Sequence, residues 1–336
     1  MQSSDNDTLS RTVDESLSNI LVMGETVIDF IPDQPGELSM TETFHRRAGG
    51  APANVAVRLA ELGLSPWFWT RVGDDGFGSF LHQTLRDNGL TDRFIIHDDT
   101  ASTALAFVSH DDDADREFNF YRTETADTRF DSMTIPDSVL GDVSWVIFGG
   151  VCLACEPART AMLSVAKRAQ QNNCTVVFDP NARPELWDSP DEFDTACRDA
   201  CDIADIIKAT PEDIAAAGID HDDEHNTSLD ALLDLGPHTA FITYGDAGAA
   251  AQATDDAPWG ATEVTHEGYS VNVVDTTGAG DAFLAGGIRG LIDGLTLAET
   301  LSLANATAAI TTTKQGAMDA TVSQEAINQI RTDDVS

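Results

Sequence analysis

Basic residues are scarce in this chain. Nineteen Lys and Arg stand against 57 Asp and Glu, and only Lys167, Lys208 and Lys314 are lysines. The formal net charge of −38 excludes a nucleic-acid partner, because phosphates would be repelled. The acids are dispersed, as in Asp111 to Asp113 and Asp222 to Glu224, and the apolar periodic segments between them survive. That pattern is not a disordered acidic tail. It suits a concentrated-salt cytoplasm, where a Debye length of roughly 3 Å at 1 M makes self-repulsion tolerable. Long apolar runs are also missing, so no transmembrane helix and no membrane partner are expected. Residues 1–19 lack the basic start and apolar middle of a secretory signal. They read as a disordered leader, with a short helix as the alternative, and the chain reads as cytoplasmic.

Cysteine is sparse and odd in number: Cys152, Cys155, Cys174, Cys197 and Cys201. This suggests reduced thiols. A CxxC and a CxxxC leave a four-cysteine zinc site conceivable. The apolar surroundings favour small buried hydrophobes instead. There is no GxxxxGK[ST] segment, which excludes a P-loop enzyme. Internal repeats are absent as well.

What is present is an alternation of short apolar runs with helical periods. Strands are expected at Ile20 to Met23, Pro66 to Val72, Trp145 to Phe148, Thr175 to Phe178, Ile206 to Lys208 and Ala240 to Thr243. Helices are expected at Ala53 to Leu62, Gly78 to Asn88 and Arg159 to Asn172. Strands buried on both faces and separated by helices indicate an α/β fold with a mostly parallel central sheet flanked by helices, in one domain over residues 20–336. Two stretches alternate apolar and polar residues instead, at about 31–47 and 94–122. They read as a small antiparallel β-sheet lid with one wet face, the alternative being edge strands of the main sheet. An exposed lid also offers a surface for a homodimer.

The chemistry concentrates in Asp275-Thr276-Thr277-Gly278-Ala279-Gly280-Asp281, a small-residue turn that leads into an apolar helix. Unpaired N–H groups at such a helix start, with the helix dipole, bind anions. Gly278 and Gly280 allow close approach. A carboxylate at Asp281 would repel a phosphate unless its task is to take a proton from an attacking hydroxyl. The alternative is an ordinary capping Asp. Gly49-Gly50-Ala51-Pro52-Ala53-Asn54 forms a second such segment, where a hydroxylated molecule could approach and Asn54 could donate and accept. Gly73-Asp74-Asp75-Gly76-Phe77-Gly78 reads as a strand-to-helix turn.

These segments in this order resemble the PfkB, or ribokinase-like, carbohydrate kinase family, over about residues 20 to 320. Gly24 to Phe30, Arg47 to Ala56, Phe118 to Arg122, Asp179 to Trp187 and Gly316 to Met318 are similar to segments of its fructokinases. The resemblance implies a ribokinase-like fold and phosphoryl transfer from ATP, with Mg2+ and K+, to a hydroxyl of a small sugar such as fructose. It implies Asp281 as base, with the amides of Thr277, Gly278, Ala279 and Gly280 as the anion hole. Asp29, Gly49, Gly50, Asn54, Phe120, Arg122 and Arg183 would hold the sugar. Lys208, Thr243, Gly245, Gly248 and Asn305, with Gly278 and Gly280, would hold the nucleotide. Glu156 and Asp213 would serve Mg2+, and Asp275 and Thr277 would serve K+. Thr210-Pro211-Glu212-Asp213 departs from the family's NxxE segment, which leaves the roles of Thr210 and Asp213 open. Other acceptors that the resemblance leaves open are 2-keto-3-deoxygluconate, through Arg122 and Arg183, and a nucleoside. A sugar-binding regulator without catalysis is a further alternative.

Overall fold

The computed structural model describes residues 19–34, 36–110, 116–219, 225–319 and 321–333. All of the expected leader but Asn19, and the acidic runs 111–113 and 222–224, lie outside the described residues.

The strands are β1 (Ile20–Met23), β2 (Val27–Pro32), β3 (Phe44–Gly49), β4 (Trp67–Gly73), β5 (Ile95–Asp98), β6 (Leu105–His110), β7 (Arg116–Tyr121), β8 (Trp145–Gly149), β9 (Thr175–Asp179), β10 (Ile206–Ala209), β11 (Thr239–Thr243), β12 (Ala249–Ala253) and β13 (Thr262–His266). The helices are α1 (Ala51–Glu61), α2 (Gly76–Asp87), α3 (Asp137–Leu140), α4 (Ala158–Gln171), α5 (Pro190–Cys201), α6 (Pro211–Ala216), α7 (His225–Leu233), α8 (Ala279–Ile292), α9 (Leu297–Thr311) and α10 (Gln324–Asp333).

Nine strands form one sheet in the order β13-β12-β11-β10-β9-β8-β1-β4-β5. Pairing is parallel from β11 through β5 and antiparallel at β11–β12 and β12–β13. Its central strands are apolar on both faces because helices cover both. Leu21 and Met23 of β1 join the core beneath α4 and α5, whereas Ile20 and Val22 join the core shared with α1, α8 and α9. Near the start of α5, Ser189 caps by accepting the amide of Glu192, and α9 opens with a capping box between Thr296 and Glu299.

A separate four-stranded sheet has the order β3-β2-β6-β7. Only the β2–β6 pair in it is parallel. It differs in extent from the two stretches read in the sequence. It starts at Val27, and Ile95 to Asp98 belong to the large sheet, where β5 pairs with β4. The reason is connectivity: α2 crosses back over the sheet and returns the chain as the next parallel strand. Strands β12 and β13 were not anticipated, because Ala249-Ala250-Ala251-Gln252-Ala253 carries no strand preference of its own and is held by its two neighbours.

Candidate active site

A cavity of about 400 Å³ opens beyond the carboxyl ends of the parallel strands, where open α/β sheets place their ligands. The large sheet contributes Glu25 after β1, Val151 after β8, Asn181 to Arg183 after β9, and Lys208, Thr210, Glu212 and Asp213 around the end of β10. Val27, Asp29, Phe120 and Arg122 come from the small sheet and its exit, and Gly50, Ala51 and Asn54 from the start of α1. Thr276, Thr277, Gly278, Gly280 and Asp281 complete the wall at the start of α8.

Asp281 is 9% exposed and sits in the first turn of α8. Asn54 Nδ2 donates to its Oδ2 at 2.7 Å, which joins residues 227 positions apart. Burial raises the pKa of Asp281, against the Asn54 hydrogen bond and the fields of Lys208, Arg183 and Arg58, which lower it. A carboxylate whose proton affinity is raised, at a cavity wall, is suited to accept a proton. The turn before it depends on Gly278, whose φ of 75° is left-handed and whose missing Cβ would lie 2.6 Å from Ala317 Cβ. Asp275 pins that turn: Thr277 N and Oγ1 donate to its Oδ1 at 2.8 and 2.6 Å, and Gly316 N donates to its Oδ2 at 2.8 Å.

Fewer amides of this turn are open to the cavity than the sequence suggested. The Thr277 amide is spent on Asp275, and the Ala279 amide donates to Thr276 O at 3.2 Å, so Ala279 does not line the cavity. The amides of Gly278 and Gly280 are not taken up by these bonds.

Lys208 is buried, with its Nζ 3.1 Å from Asp179 Oδ2 and 3.1 Å from where a Gly280 Cβ would stand. Burial opposes its charge, but Asp179, Asp213 and Asp281 outweigh it and raise its pKa. Burial likewise lifts Asp179 to about 6, against Lys208. This cation therefore stands ready and charged beside the glycine turn. Asp213 is occupied otherwise. Its Oδ1 accepts Ala182 N at 2.6 Å, and its Oδ2 accepts Thr210 N and Oγ1 at 2.8 and 3.0 Å in a capping box. Such a carboxylate organises loops and does not fit as a direct Mg2+ ligand. Glu156 is not at the cavity at all; it is exposed and accepts Thr160 N at 3.2 Å at the start of α4. No group of three or more His, Cys, Asp or Glu suited to a metal occurs among the described residues. The five cysteines are free, and all but Cys155 are buried.

Of the sugar-side residues, Asp29, Gly50, Asn54, Phe120, Arg122 and Arg183 line the cavity. Gly49 does not; its missing Cβ would lie 1.9 Å from Asp29 Oδ2, so it makes room for that carboxylate. Arg122 is buried and its guanidinium is committed: Nε donates to Asp127, and Nη1 donates to Val151 O at 2.9 Å. Thr243, Gly245, Gly248 and Asn305 lie outside this cavity. Gly248 closes the turn between β11 and β12, and Asn305 Nδ2 donates to Leu301 O at 2.8 Å on α9. Sequence reasoning missed Glu25, Val27, Ala51, Val151, Asn181, Ala182, Glu212 and Thr276. All but Val151 lie inside segments already quoted, but no spacing rule says which of a segment's residues turns inward. It also missed Arg58, buried in α1, which donates to Ala317 O and so braces the segment packed on Gly278.

A model of the pfkB family carbohydrate kinases matches residues 17–324. Fructokinase-1 of Zea mays is 35% identical over 323 residues, which cover 93% of this chain and 97% of that protein. Among solved structures, the fructokinase of Xylella fastidiosa with bound ATP superposes with a TM-score of 0.83 at 26% identity, over 95% of this chain and all (100%) of that one. A double mutant of the Vibrio cholerae O395 fructokinase, holding fructose, ADP and potassium ion, superposes with a TM-score of 0.79 at 28% identity, over 94% and 98% of the two chains. No helix among the described residues is long and apolar enough to cross a membrane. With a ribokinase-like fold, a buried carboxylate at a glycine-rich helix start and a family match across nearly its whole length, the chain belongs to the pfkB family of carbohydrate kinases, which are sugar phosphotransferases.

Proposed function

We propose that this chain phosphorylates fructose with ATP. The observation that carries the reading is the 2.7 Å hydrogen bond from Asn54 to Asp281 inside the cavity, which joins the loop suited to hydroxyls to the base at the anion turn. A sugar hydroxyl beside Asp281 gives its proton to the carboxylate as its oxygen attacks the γ-phosphorus of ATP. The bond to the β-phosphate oxygen breaks, and ADP leaves. Most of the rate gain comes from positioning and charge stabilisation. Lys208 and the amides of Gly278 and Gly280 meet the charge of the transferred group. Asp29, Gly50, Asn54, Phe120 and Arg183 hold the sugar, and the small sheet acts as a lid that excludes water. Thr243, Gly245, Gly248 and Asn305 would serve the base and ribose of the nucleotide beyond this cavity.

Mg2+, when present, would be carried on the ATP phosphates rather than by a cluster of carboxylates among the described residues, and would supply charge neutralisation there. Asp275 and Thr277 act through the turn they pin, and their oxygens would serve K+, an ion that a relative holds together with fructose and ADP. The acidic alternative, 2-keto-3-deoxygluconate, fits less well, since a substrate carboxylate would have to compete with Asp127 for Arg122. The charge of −38 supports a protein adapted to concentrated salt in the cytoplasm, and the outer face of the small sheet supports a homodimer. ADP release measured across fructose, ribose, 2-keto-3-deoxygluconate and adenosine, in molar KCl, tests the reading. A clear preference for any acceptor but fructose sinks it, and no turnover with any of them favours a sugar-binding regulator.

A further inference from the structure

Glu25 has no part in the mechanism above, yet it lines the cavity while only 3% exposed. It follows β1, and its backbone carbonyl lies against Gly50. The protein gives its side chain little in return for burial. Its own backbone amide donates to the carboxylate, and Cys152 Sγ donates to Oε2 at 3.3 Å, a thiol being a weak donor. The neighbouring cation, Arg122, spends its Nε on Asp127 and its Nη1 on a carbonyl. The charged and titratable groups that face Glu25 are Arg122 and Asp127 from the segment after β7 and Cys152 from the segment after β8. From α1, uncharged Gly50 and Asn54 share the same cavity.

We propose that Glu25 is a sugar-binding residue, whose ionised carboxylate accepts a hydroxyl of the acceptor sugar in the wall that it shares with Arg122 and Val151. This rests on the sugar-kinase reading of the same cavity. A buried carboxylate held by one amide and one thiol, with no ion pair of its own, is costly to keep. A sugar hydroxyl is a stronger donor than the thiol, delivered when the cavity fills. Burial has already lifted the group to about 7, against the field of Arg122, so its charge changes within the working range of pH. Sugar binding then competes with a proton. The sign follows: sugar affinity is full above about 7 and weakens as pH falls through it, by up to about tenfold per unit.

The experiment is steady-state kinetics of the full chain with fructose and ATP between about pH 6 and pH 8.5. The KM for fructose should rise toward acid with a midpoint near 7, while the KM for ATP does not follow it. In Glu25→Gln, fructose KM should be raised about tenfold at pH 8 and flat with pH. Cys152→Ala keeps the carboxylate but removes a hydrogen bond that lowers its pKa, so the midpoint should move upward. A flat fructose KM in the wild-type protein, or a titration that survives in Glu25→Gln, overturns the assignment of Glu25 while leaving the kinase reading intact. If the Gln variant does not fold, an unmoved midpoint in Cys152→Ala overturns it in the same way. No turnover of fructose at any pH overturns the fructokinase reading itself, and this inference with it.

Discussion

Replacing Asp281 by Asn keeps the size and shape of the side chain. Asn54 Nδ2 still finds an oxygen at the same place, so the bridge between α1 and α8 survives. What is lost is the proton acceptor. General-base catalysis contributes about 10²–10⁴-fold, so kcat should fall by that factor, which is about 2.7–5.4 kcal/mol on the barrier. The KM for sugar and that for ATP should each stay within about threefold, because both ligands keep their contacts. Stability should move the other way. Burial raises the pKa of Asp281 above its unfolded value, so its contribution to stability is fully present only below the unfolded pKa of about 3.9 and is lost as pH rises through the folded pKa. The Asn variant escapes that loss. Its melting temperature should equal or exceed that of the wild type at pH 8, and the gap should close toward acid. Turnover by ADP release and melting by circular dichroism on the same preparations decide the matter. A turnover within about fivefold of the wild type, in a folded variant, would refute Asp281 as the base.

Other substitutions probe the supports of that base. Gly278→Ala puts a methyl 2.6 Å from Ala317 Cβ at a φ of 75°, whereas Gly294→Ala meets the same strain at φ 72° with nothing within 4 Å. Both should lose about 1–2 kcal/mol of stability in urea melts from strain alone, and Gly278→Ala should lose more and be nearly inactive; equal losses with full activity in both would count against a packed anion turn. Lys208→Met leaves Asp179 buried beside Asp213 and Asp281 without its cation, so stability should drop by about 3–5 kcal/mol and KM for ATP should rise more than KM for fructose. An unchanged KM for ATP would remove Lys208 from the phosphate side. The melting temperature of the wild type should rise steadily from low salt to molar KCl, because screening relieves a net charge of −38; a flat curve argues against adaptation to concentrated salt.

Six of the nine strands of the large sheet were legible because they are mostly buried: Ile20 to Met23 and Trp145 to Phe148 are continuous apolar runs, and a run of that kind needs helices on both faces. The candidate base Asp281 stood out for a different reason, since a carboxylate directly after a glycine-rich turn contradicts simple anion binding and demands a chemical explanation. Thr210 and Asp213 show where local reading fell short. Their spacing matched a metal-organising segment, but the same spacing makes a capping box, and Ala182 claims the remaining oxygen from another loop. Glu156 failed likewise, as its neighbour in space is the start of α4.

The sequence alone determined the layered α/β plan and singled out Asp281 after its glycine-rich turn, because each rests on burial periodicity or on residues adjacent in the chain. Only the tertiary structure decided which residues share the cavity. Asn54 meets Asp281 across 227 residues, Arg58 braces Ala317 across 259, and Cys152 reaches Glu25 across 127. Contacts at such separation are set by how nine strands order themselves in a sheet, and no local propensity encodes that order.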